Sequence, residues 1–319
     1  MNKNIFIIAL VLTGIGLWWK NTSNKSALPI IGVIQVIEHP ALDQTRKGIF
    51  DELQAQGFKD TQVIDWRYQS AQGNPALAAQ IAQKFIGENA AIIVAIPTTV
   101  SQSALQAIQQ SGSNTPLVFA SVTNPITAKL VKSDKQPEKF VTGVSNYVSV
   151  QKQFDYFKKI LPTMKRIGVV YNPGEVNSIT LNKEMSKAGK NMGLEIIFAP
   201  ASRTVDVGEA TKSLLDKVDA IFINNDNTAL ASFDSVIAAA KLQNIPVFVS
   251  DLDCLSKGAL AALGADQYAL GRQTGKMIAN ILRNPEAASS TTMEYPSVVR
   301  GECNEKVAAE LKIVLPSNV

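Results

Sequence analysis

The chain has 319 residues, of which 46% are hydrophobic and 18% are charged, and its net charge is +4. A chain of this length and apolar content can bury two cores of ordinary domain size, which excludes a wholly disordered protein. The positive charges are spread along the sequence with no basic run interleaved with aromatic residues, so we expect no nucleic acid partner.

The first 26 residues form a segment of their own. Lys3 precedes an apolar run from Ile5 to Trp19, and a polar stretch follows it. The run is shorter than the roughly 20 residues of a membrane-spanning helix and matches the apolar part of an export signal, although Trp18 and Trp19 would suit a membrane interface. We predict that residues 1–26 are a signal peptide or an N-terminal membrane anchor. The rest is then expected in the periplasm or at the extracytoplasmic face of the cell membrane.

Strand and helix signals alternate strictly after this segment. In the first half we predict strands at about 30–37, 61–68, 91–96 and 116–120. Helices are predicted between them at about 41–56, 75–87 and 99–110, with apolar residues at the spacing of one buried helical stripe. Strict alternation of this kind predicts parallel sheets covered by helices on both faces.

The second half repeats this pattern about 130 to 136 residues later, so that Ile31-Gly32-Val33 returns as Ile167-Gly168-Val169. The natural crossing between the halves is the segment that runs from Val141–Val144 through Ser145 into the next helix. Further strands are predicted near 166–171, 194–199, 219–223 and 245–249, and helices near 177–192, 205–217 and 228–242. The repeat predicts an α/β fold of two doubly wound parallel-sheet lobes, joined by a hinge and separated by a cleft.

The end of the chain offers a short apolar strand at Ala259–Leu263 and a helix at about 268–282. We expect this late pair to return to the first lobe and complete it, and the stretch 292–315 to return to the second. The predicted lobes comprise 29–144 plus about 264–290, and 146–262 plus about 291–319. Several crossing segments of this kind would make a hinge.

Ligands of open parallel α/β sheets bind at the carboxyl ends of the strands, where helix N-termini and loop side chains converge. In the first lobe these loops are rich in hydroxyl groups. Thr98 and Thr99 begin a helix whose free N–H groups would hold a carboxylate, and Ser121 and Thr123 add donors. The loops of the first lobe therefore predict a carboxylate site.

The corresponding loops of the second lobe are rich in acids and amides. A buried ammonium group needs charged or carbonyl acceptors around it. The carboxylates available for it are Glu38, Glu175, Asp226 and Asp251. The two sets of loops together suit a zwitterion. The alternative for any single residue is that it only caps its own helix, as Asp253 would cap the element that follows.

Other chemistries find little support in the sequence. Cys254 and Cys303 have no CxxC spacing and no histidine cluster near them, so we expect no metal and no cofactor, and the two thiols are either free or paired. The single histidine, His39, has no serine or cysteine nucleophile beside it, which favours packing or a hydrogen bond to a ligand over catalysis. We therefore expect a binding protein and no enzyme.

Five sequence motifs resemble those of ABC-transporter solute-binding proteins of the tryptophan/tyrosine-binding type. The motifs are Glu38–Asp43, Ala120–Pro125, Tyr171–Ser178, Asn225–Asn227 and Gly271–Gly275, and the resemblance extends over about residues 29–315. It implies a type I periplasmic-binding fold, in which two lobes close on one ligand. It also implies an aromatic or other hydrophobic amino acid as the ligand and a membrane permease with its ATPase as partners. We further expect a monomer.

The resemblance also implies a set of residues that line the cleft. They are Glu38, Thr98, Thr99, Ser121, Thr123, Asn172, Glu175, Asn177, Asp226, Asn227, Asp251 and Asp253. Candidates for an apolar wall are Phe119, Tyr147, Tyr171 and Tyr268. The sequence departs from the family pattern at Asn124, where an acid is usual, and it lacks the anchoring cysteine of family lipoproteins. A membrane-tethered sensory module of the same fold is the alternative function.

Overall fold

The structure is a computed structural model that describes residues 28–317. The predicted signal peptide or anchor at residues 1–26 lies outside the described residues. Between residues 28 and 317 no helix is long and apolar enough to cross a membrane.

The first lobe is built on a five-stranded sheet in the order β2-β1-β3-β4-β5, and all its neighbouring strands are parallel. The strands are β1 Ile30–Gln35, β2 Asp65–Ser70, β3 Ile92–Ile96, β4 Leu117–Val122 and β5 Val141–Ser145. The helices that follow the first three strands are α1 Pro40–Ala55, α2 Pro75–Gly87 and α3 Thr98–Ser111. Strands β3, β4 and β5 are buried along their whole length, as expected for a sheet covered by helices on both faces.

Strand β1 contains a glycine where α2 packs against the sheet. A Cβ atom at Gly32 would lie 2.5 Å from the ring of Phe85, which is completely buried. Only glycine leaves room for this ring at the centre of the lobe. The contact holds α2 against β1, and so positions the loops at the carboxyl ends of the strands.

The second lobe has a six-stranded sheet in the order β11-β10-β9-β8-β6-β7. Its strands are β6 Arg166–Tyr171, β7 Glu195–Pro200, β8 Ala220–Ile223, β9 Val247–Val249, β10 Ala261–Ala265 and β11 Val299–Cys303. Its helices are α4 Val150–Ile160, α5 Val176–Met192, α6 Val207–Lys212, α7 Asn227–Ala231 and α8 Phe233–Ala240. Only β11 runs antiparallel to its neighbour. The prediction of two α/β lobes with mainly parallel sheets is confirmed.

The first helix after the crossing carries aromatic residues into the core of the second lobe. The ring of Phe157 stacks on Phe248, with 4.4 Å between the ring centroids, and meets Phe222 edge to face at 5.0 Å. Phe154 packs against the same Phe222 ring at 6.0 Å. Because such aromatic clusters bury much apolar surface, α4 is fixed firmly to the second sheet.

The expectation that the strand at Ala259–Leu263 completes the first lobe is wrong. Strand β10 pairs with β9 in the second sheet, and only the helix that follows it, α9 Gln267–Arg283, packs against α1 of the first lobe. This helix lies so close to α1 that a Cβ atom at Gly271 would be 2.2 Å from the backbone oxygen of Thr45. An apolar strand fits the open edge of either sheet, so its composition alone does not decide which sheet it joins.

Some element bounds also differ from the prediction. The helix predicted at 205–217 is divided into α6 and two short 3₁₀ turns, and the helix predicted at 228–242 is interrupted between α7 and α8. Strand β2 begins at Asp65, later than predicted, because the residues before it form a turn in which Thr61 has a φ of 60°. A turn this short changes the apolar periodicity of the sequence only slightly, so the prediction placed the start of the strand too early.

The hinge consists of neighbouring segments that join the two lobes. The first leaves β5 at Ser145, the second joins β10 to α9 at Asp266, and the third runs from Glu294 to β11. The N–H of Ser145 donates to the carbonyl of Glu294 at 2.8 Å, and the N–H of Asp266 donates to the carbonyl of Val298 at 3.1 Å. These backbone hydrogen bonds keep the crossing segments side by side. The last helix, α10 Glu305–Glu310, packs on the second lobe.

Candidate ligand-binding site

A cavity lies between the lobes, at the carboxyl ends of the strands of both sheets. We call it the central cavity. It is lined by His39, Ala41, Leu42, Pro97, Thr98, Ser121, Thr123, Asn146, Asn177, Asn225, Asn227, Leu230, Asp251 and Gln267. Because the lobes lie close together, the free volume of this cavity is only about 20 Å³. Two wider cavities of about 540 and 180 Å³ adjoin it, the first through Asn227 and the second through Asp251 and Gln267.

The central cavity brings together half of the residues that the sequence analysis selected. From the first lobe these are Thr98, Ser121 and Thr123, and from the second they are Asn177, Asn227 and Asp251. Five of these six side chains are buried, and Asn227 is partly exposed. The strand ends of two different sheets therefore converge on one small volume.

The N-terminus of α3 gives the first lobe its anion-binding character. Thr98 is the first residue of this helix, and the preceding Pro97 provides no side-chain cap. The N–H groups of a first helical turn have no acceptor within the helix, and the helix dipole favours negative charge there. The Oγ1 atom of Thr99 is buried without a hydrogen-bond partner. These donors can hold a carboxylate.

Ser121 belongs to a hydrogen-bond network that reaches across the chain. Its backbone has a φ of 57°, at an irregularity in the pairing of β4 with β5. Its hydroxyl donates to Oε1 of Gln267 at 2.8 Å, and the hydroxyl of Thr45 lies 3.0 Å from the same oxygen. With its amide oxygen engaged in this way, Gln267 can donate its Nε2 hydrogens to a ligand. The sequence analysis did not select Gln267, although this residue lies just after the end of β10 and begins α9.

Asp251 is a buried carboxylate at the end of β9. Only 4% of the residue is exposed, and Oδ1 accepts a hydrogen bond from the N–H of Asp253 at 3.0 Å. Burial, and then the nearby charge of Asp253, raise the pKa of Asp251 to about 7, while Lys257 opposes the increase. A buried carboxylate in this setting gains much from an added cation, because the cation offsets the cost of desolvation.

Two amide oxygens in the lining have no hydrogen-bond partner. The Nδ2 group of Asn177 donates to Glu175 at 3.0 Å and to the carbonyl of Asn225 at 2.7 Å, which leaves its Oδ1 buried and unpaired. The Oδ1 atom of Asn146, which lies on the first hinge segment, is also buried and unpaired. Unpaired buried acceptors are costly, so these oxygens favour a ligand that donates hydrogen bonds.

Glu175 and Asp226, which were candidates for the ammonium group, are engaged within the second lobe. Glu175 accepts hydrogen bonds from Asn177 Nδ2, from the backbone and side-chain amides of Asn227, and from the N–H and hydroxyl of Thr228. Asp226 accepts from the N–H of Asn172 at 2.6 Å, from Ser178 at 2.6 Å and from the N–H of Ala229 at 2.7 Å. Burial and the charge of Glu175 raise the pKa of Asp226. Neither residue lines the central cavity.

The remaining predicted residues also lie outside the central cavity. Glu38 is exposed and accepts a hydrogen bond from the hydroxyl of Tyr68 at 3.2 Å. Thr99 and Asn172 line the wider adjoining cavity, and Asp253 lines the smaller one. The structure thus separates residues that all occupy similar loops in the sequence.

None of the four aromatic candidates lines the central cavity. Phe119 is completely buried in the first sheet, and Tyr171 packs against Phe198 with 5.9 Å between the rings. Tyr147 donates to Glu184 at 2.8 Å, and Tyr268 donates to Asp51 at 2.9 Å. The hydroxyls of Tyr147 and Tyr268 are thus engaged by carboxylates of their own lobes, and Tyr268 lines the smaller adjoining cavity.

The cavity also contains lining residues outside the set of predicted site residues. These are His39, Ala41, Leu42, Pro97, Asn146, Asn225, Leu230 and Gln267. For His39 the sequence analysis favoured packing or a hydrogen bond to a ligand, and its place in the lining is compatible with both. Among residues 28–317 no group of three or more His, Cys, Asp or Glu side chains could hold a metal ion. Cys254 and Cys303 are free thiols, and burial raises the pKa of both.

Comparisons with known proteins point to one family. A family model described as ABC transporter substrate binding protein matches residues 30–319. The tyrosine-binding protein of Clostridioides difficile (strain R20291) is 32% identical over 285 residues, which cover 89% of this chain and 81% of that protein.

Two solved structures resemble the whole fold. An ABC domain from Streptococcus pneumoniae in complex with L-Trp is 31% identical, with a TM-score of 0.87, covering 92% of this chain and 97% of that one. The ligand-free, open structure of a substrate-binding protein with adhesive properties from Clostridium difficile is 32% identical, with a TM-score of 0.70, covering 91% and 97%. Since the identities are nearly equal, the difference in TM-score indicates that the lobes here are arranged more as in the L-Trp complex.

Proposed function

The chain belongs to the family of ABC transporter substrate-binding proteins, and from this premise we propose that it captures an amino acid as a zwitterion between its two lobes. The observation that carries the proposal is the chemistry of the central cavity. The N-terminus of α3 lines this cavity together with a buried carboxylate, Asp251, and the amides of Asn146 and Asn177, whose oxygens are unpaired. An α-carboxylate and an α-ammonium group match these two sets.

We infer that the side chain of the amino acid is aromatic or otherwise hydrophobic. This is supported by the apolar part of the lining, and by relatives described as binding tyrosine and L-Trp. The wider adjoining cavity of about 540 Å³ adds Val36, Ile37 and Pro75, so a large side chain has apolar surface within reach. Burial of that surface would add to the affinity.

Capture works through closure of the hinge. In the present arrangement Val176 of the second lobe packs against the core of the first, and the hydroxyl of Thr180 donates to Thr127 across the cleft at 3.3 Å. A ligand that binds both lobes at once would add contacts that exist only in the closed form. Such a ligand shifts the equilibrium towards closure by its differential affinity for the two forms.

The closed, loaded protein would then deliver its amino acid to a membrane permease and its ATPase. We propose that it acts as a monomer at the extracytoplasmic face of the membrane. The family match favours transport over the tethered sensory module that the sequence left as an alternative.

A thermal-shift screen of the amino acids tests the proposed function. A ligand at about 100 times its Kd stabilises the folded state by about 2.7 kcal/mol, which corresponds to an increase in Tm of several degrees. We expect aromatic L-amino acids to give this increase and their D-enantiomers to give none. If neither the screen nor calorimetry detects an amino acid that binds, the proposed function is wrong.

Affinity for the amino acid should also depend on pH. In the free protein Asp251 has a pKa of about 7, and an ammonium ligand favours its ionised form. Binding therefore releases a proton near neutral pH, and affinity falls by about tenfold as the pH decreases from 8 to 6. Calorimetry in buffers of different ionisation heats measures both quantities. An affinity that stays constant over this range would show that Asp251 does not face the ammonium group.

A further inference from the structure

His39 occupies an unusual position in the central cavity. It is the single histidine of the chain and precedes α1 directly, and only 8% of it is exposed. Its ring lines the cavity, and its Nε2 atom is buried without a hydrogen-bond partner. A buried polar atom without a partner is costly, so this nitrogen calls for an explanation.

The two charged ends of the amino acid already have better partners. The carboxylate is matched by the N-terminus of α3, and the ammonium group by Asp251 and the oxygens of Asn146 and Asn177. Burial lowers the pKa of His39 to about 4. The negative charge of Asp43 opposes this decrease, and the positive charge of Lys257 adds to it. The ring is therefore neutral at pH 7 and offers one donor and one acceptor. Such a group is best suited to a neutral polar partner.

His39 stands beside an apolar part of the cavity lining, and the charges of Asp43 and Lys257 also act on its ring. Ala41 and Leu42, which follow it on α1, line the cavity beside it, and Pro97 and Leu230 complete the apolar part of the lining. This part of the cavity suits the side chain of the ligand. A side chain that lies against these residues would also lie against the imidazole.

Resting on the proposed function, we propose that His39 is a specificity-determining residue that accepts a hydrogen bond from the side chain of the ligand. The favoured ligands are then aromatic amino acids with a polar hydrogen, which are those with a phenol O–H or an indole N–H. Phenylalanine would leave the imidazole nitrogen buried and unpaired. Sites that bond a polar hydrogen discriminate strongly against an analogue that lacks it.

Calorimetry of the full chain with L-tyrosine, L-tryptophan and L-phenylalanine tests the proposal. In the unchanged protein we expect tyrosine and tryptophan to bind at least about tenfold more tightly than phenylalanine. The substitution His39→Phe keeps a planar ring and removes both nitrogens. It should abolish this preference by weakening the binding of tyrosine and tryptophan while leaving that of phenylalanine nearly unchanged.

The conservative substitution His39→Gln serves as the matched control. Glutamine is neutral and carries a donor and an acceptor, so it should restore part of the preference for tyrosine. A merely structural role for His39 would instead weaken all three ligands equally in both variants. Equal affinities of the unchanged protein for tyrosine and phenylalanine would overturn the role of His39 and leave the proposed function intact. Failure of all amino acids to bind would overturn both.

Discussion

Replacing Asp251 by Asn is expected to weaken amino acid binding by about 100-fold. The carboxylate is buried and its Oδ1 accepts a hydrogen bond from the N–H of Asp253, and an ammonium group of the ligand would compensate its charge further. Removing one member of a buried charge pair typically costs about 3 to 5 kcal/mol, and the retained amide oxygen recovers part of this. Isothermal titration calorimetry at pH 8, where Asp251 is ionised, measures the loss.

The free protein should tolerate this substitution. The amide oxygen of Asn can still accept from the N–H of Asp253, and the substitution removes a charge whose ionisation burial disfavours. We therefore expect a Tm at least equal to that of the unchanged protein. Asp253→Asn is the matched control, since Asp253 is half-buried and does not line the central cavity. If both variants bind equally well, the ammonium group has been placed wrongly.

Replacing Glu175 by Ala is expected to destabilise the second lobe by about 3 to 5 kcal/mol, because it leaves buried donors without their acceptor. These donors belong to Asn177, Asn227 and Thr228. For a domain of this size the loss corresponds to a decrease in Tm of roughly 10 °C. Urea unfolding followed by circular dichroism measures the change in the free energy of unfolding.

The same substitution should reduce amino acid affinity indirectly. Glu175 holds Asn177 and Asn227 in place, and both line the central cavity. We expect a loss of about tenfold at a temperature where the variant is still folded. As a control, Glu209→Ala should change stability by less than about 0.5 kcal/mol, because Glu209 is exposed and its ion pair with Lys212 lies at the surface. A stable Glu175→Ala variant would refute the structural role assigned to Glu175.

The sequence predicted which loops meet between the lobes, but it did not predict which side chains of these loops line the central cavity. Alternating periodicity placed Thr98, Ser121 and Asp251 at strand ends, and the carboxyl ends of parallel strands meet at one edge. The loops could be chosen for this reason without knowing any contact. The residues within each loop could not be ranked, because neighbouring side chains in a loop point in different directions.

Carboxylates show this limit most clearly. Asp226 and Asp251 both follow short buried strands, and burial raises the pKa of both. Asp226 is surrounded by donors of its own lobe, whereas Asp251 accepts one backbone hydrogen bond and faces the cavity. The difference depends on donors such as Asn172, which is 54 residues away from Asp226 in the sequence.

Local sequence patterns were sufficient to predict the structural features that depend on neighbouring residues along the chain. The repeat of strand and helix predicted two α/β lobes, and strand direction predicted which loops would meet between them, since periodicity and strand direction are properties of the sequence itself. Tertiary structure alone decided that β10 joins the second sheet, that Glu175 is an internal acceptor, and that Gln267 lines the cavity. These outcomes depend on which open edge a strand meets and on which distant donors reach a polar atom, and both are settled only when the lobes pack.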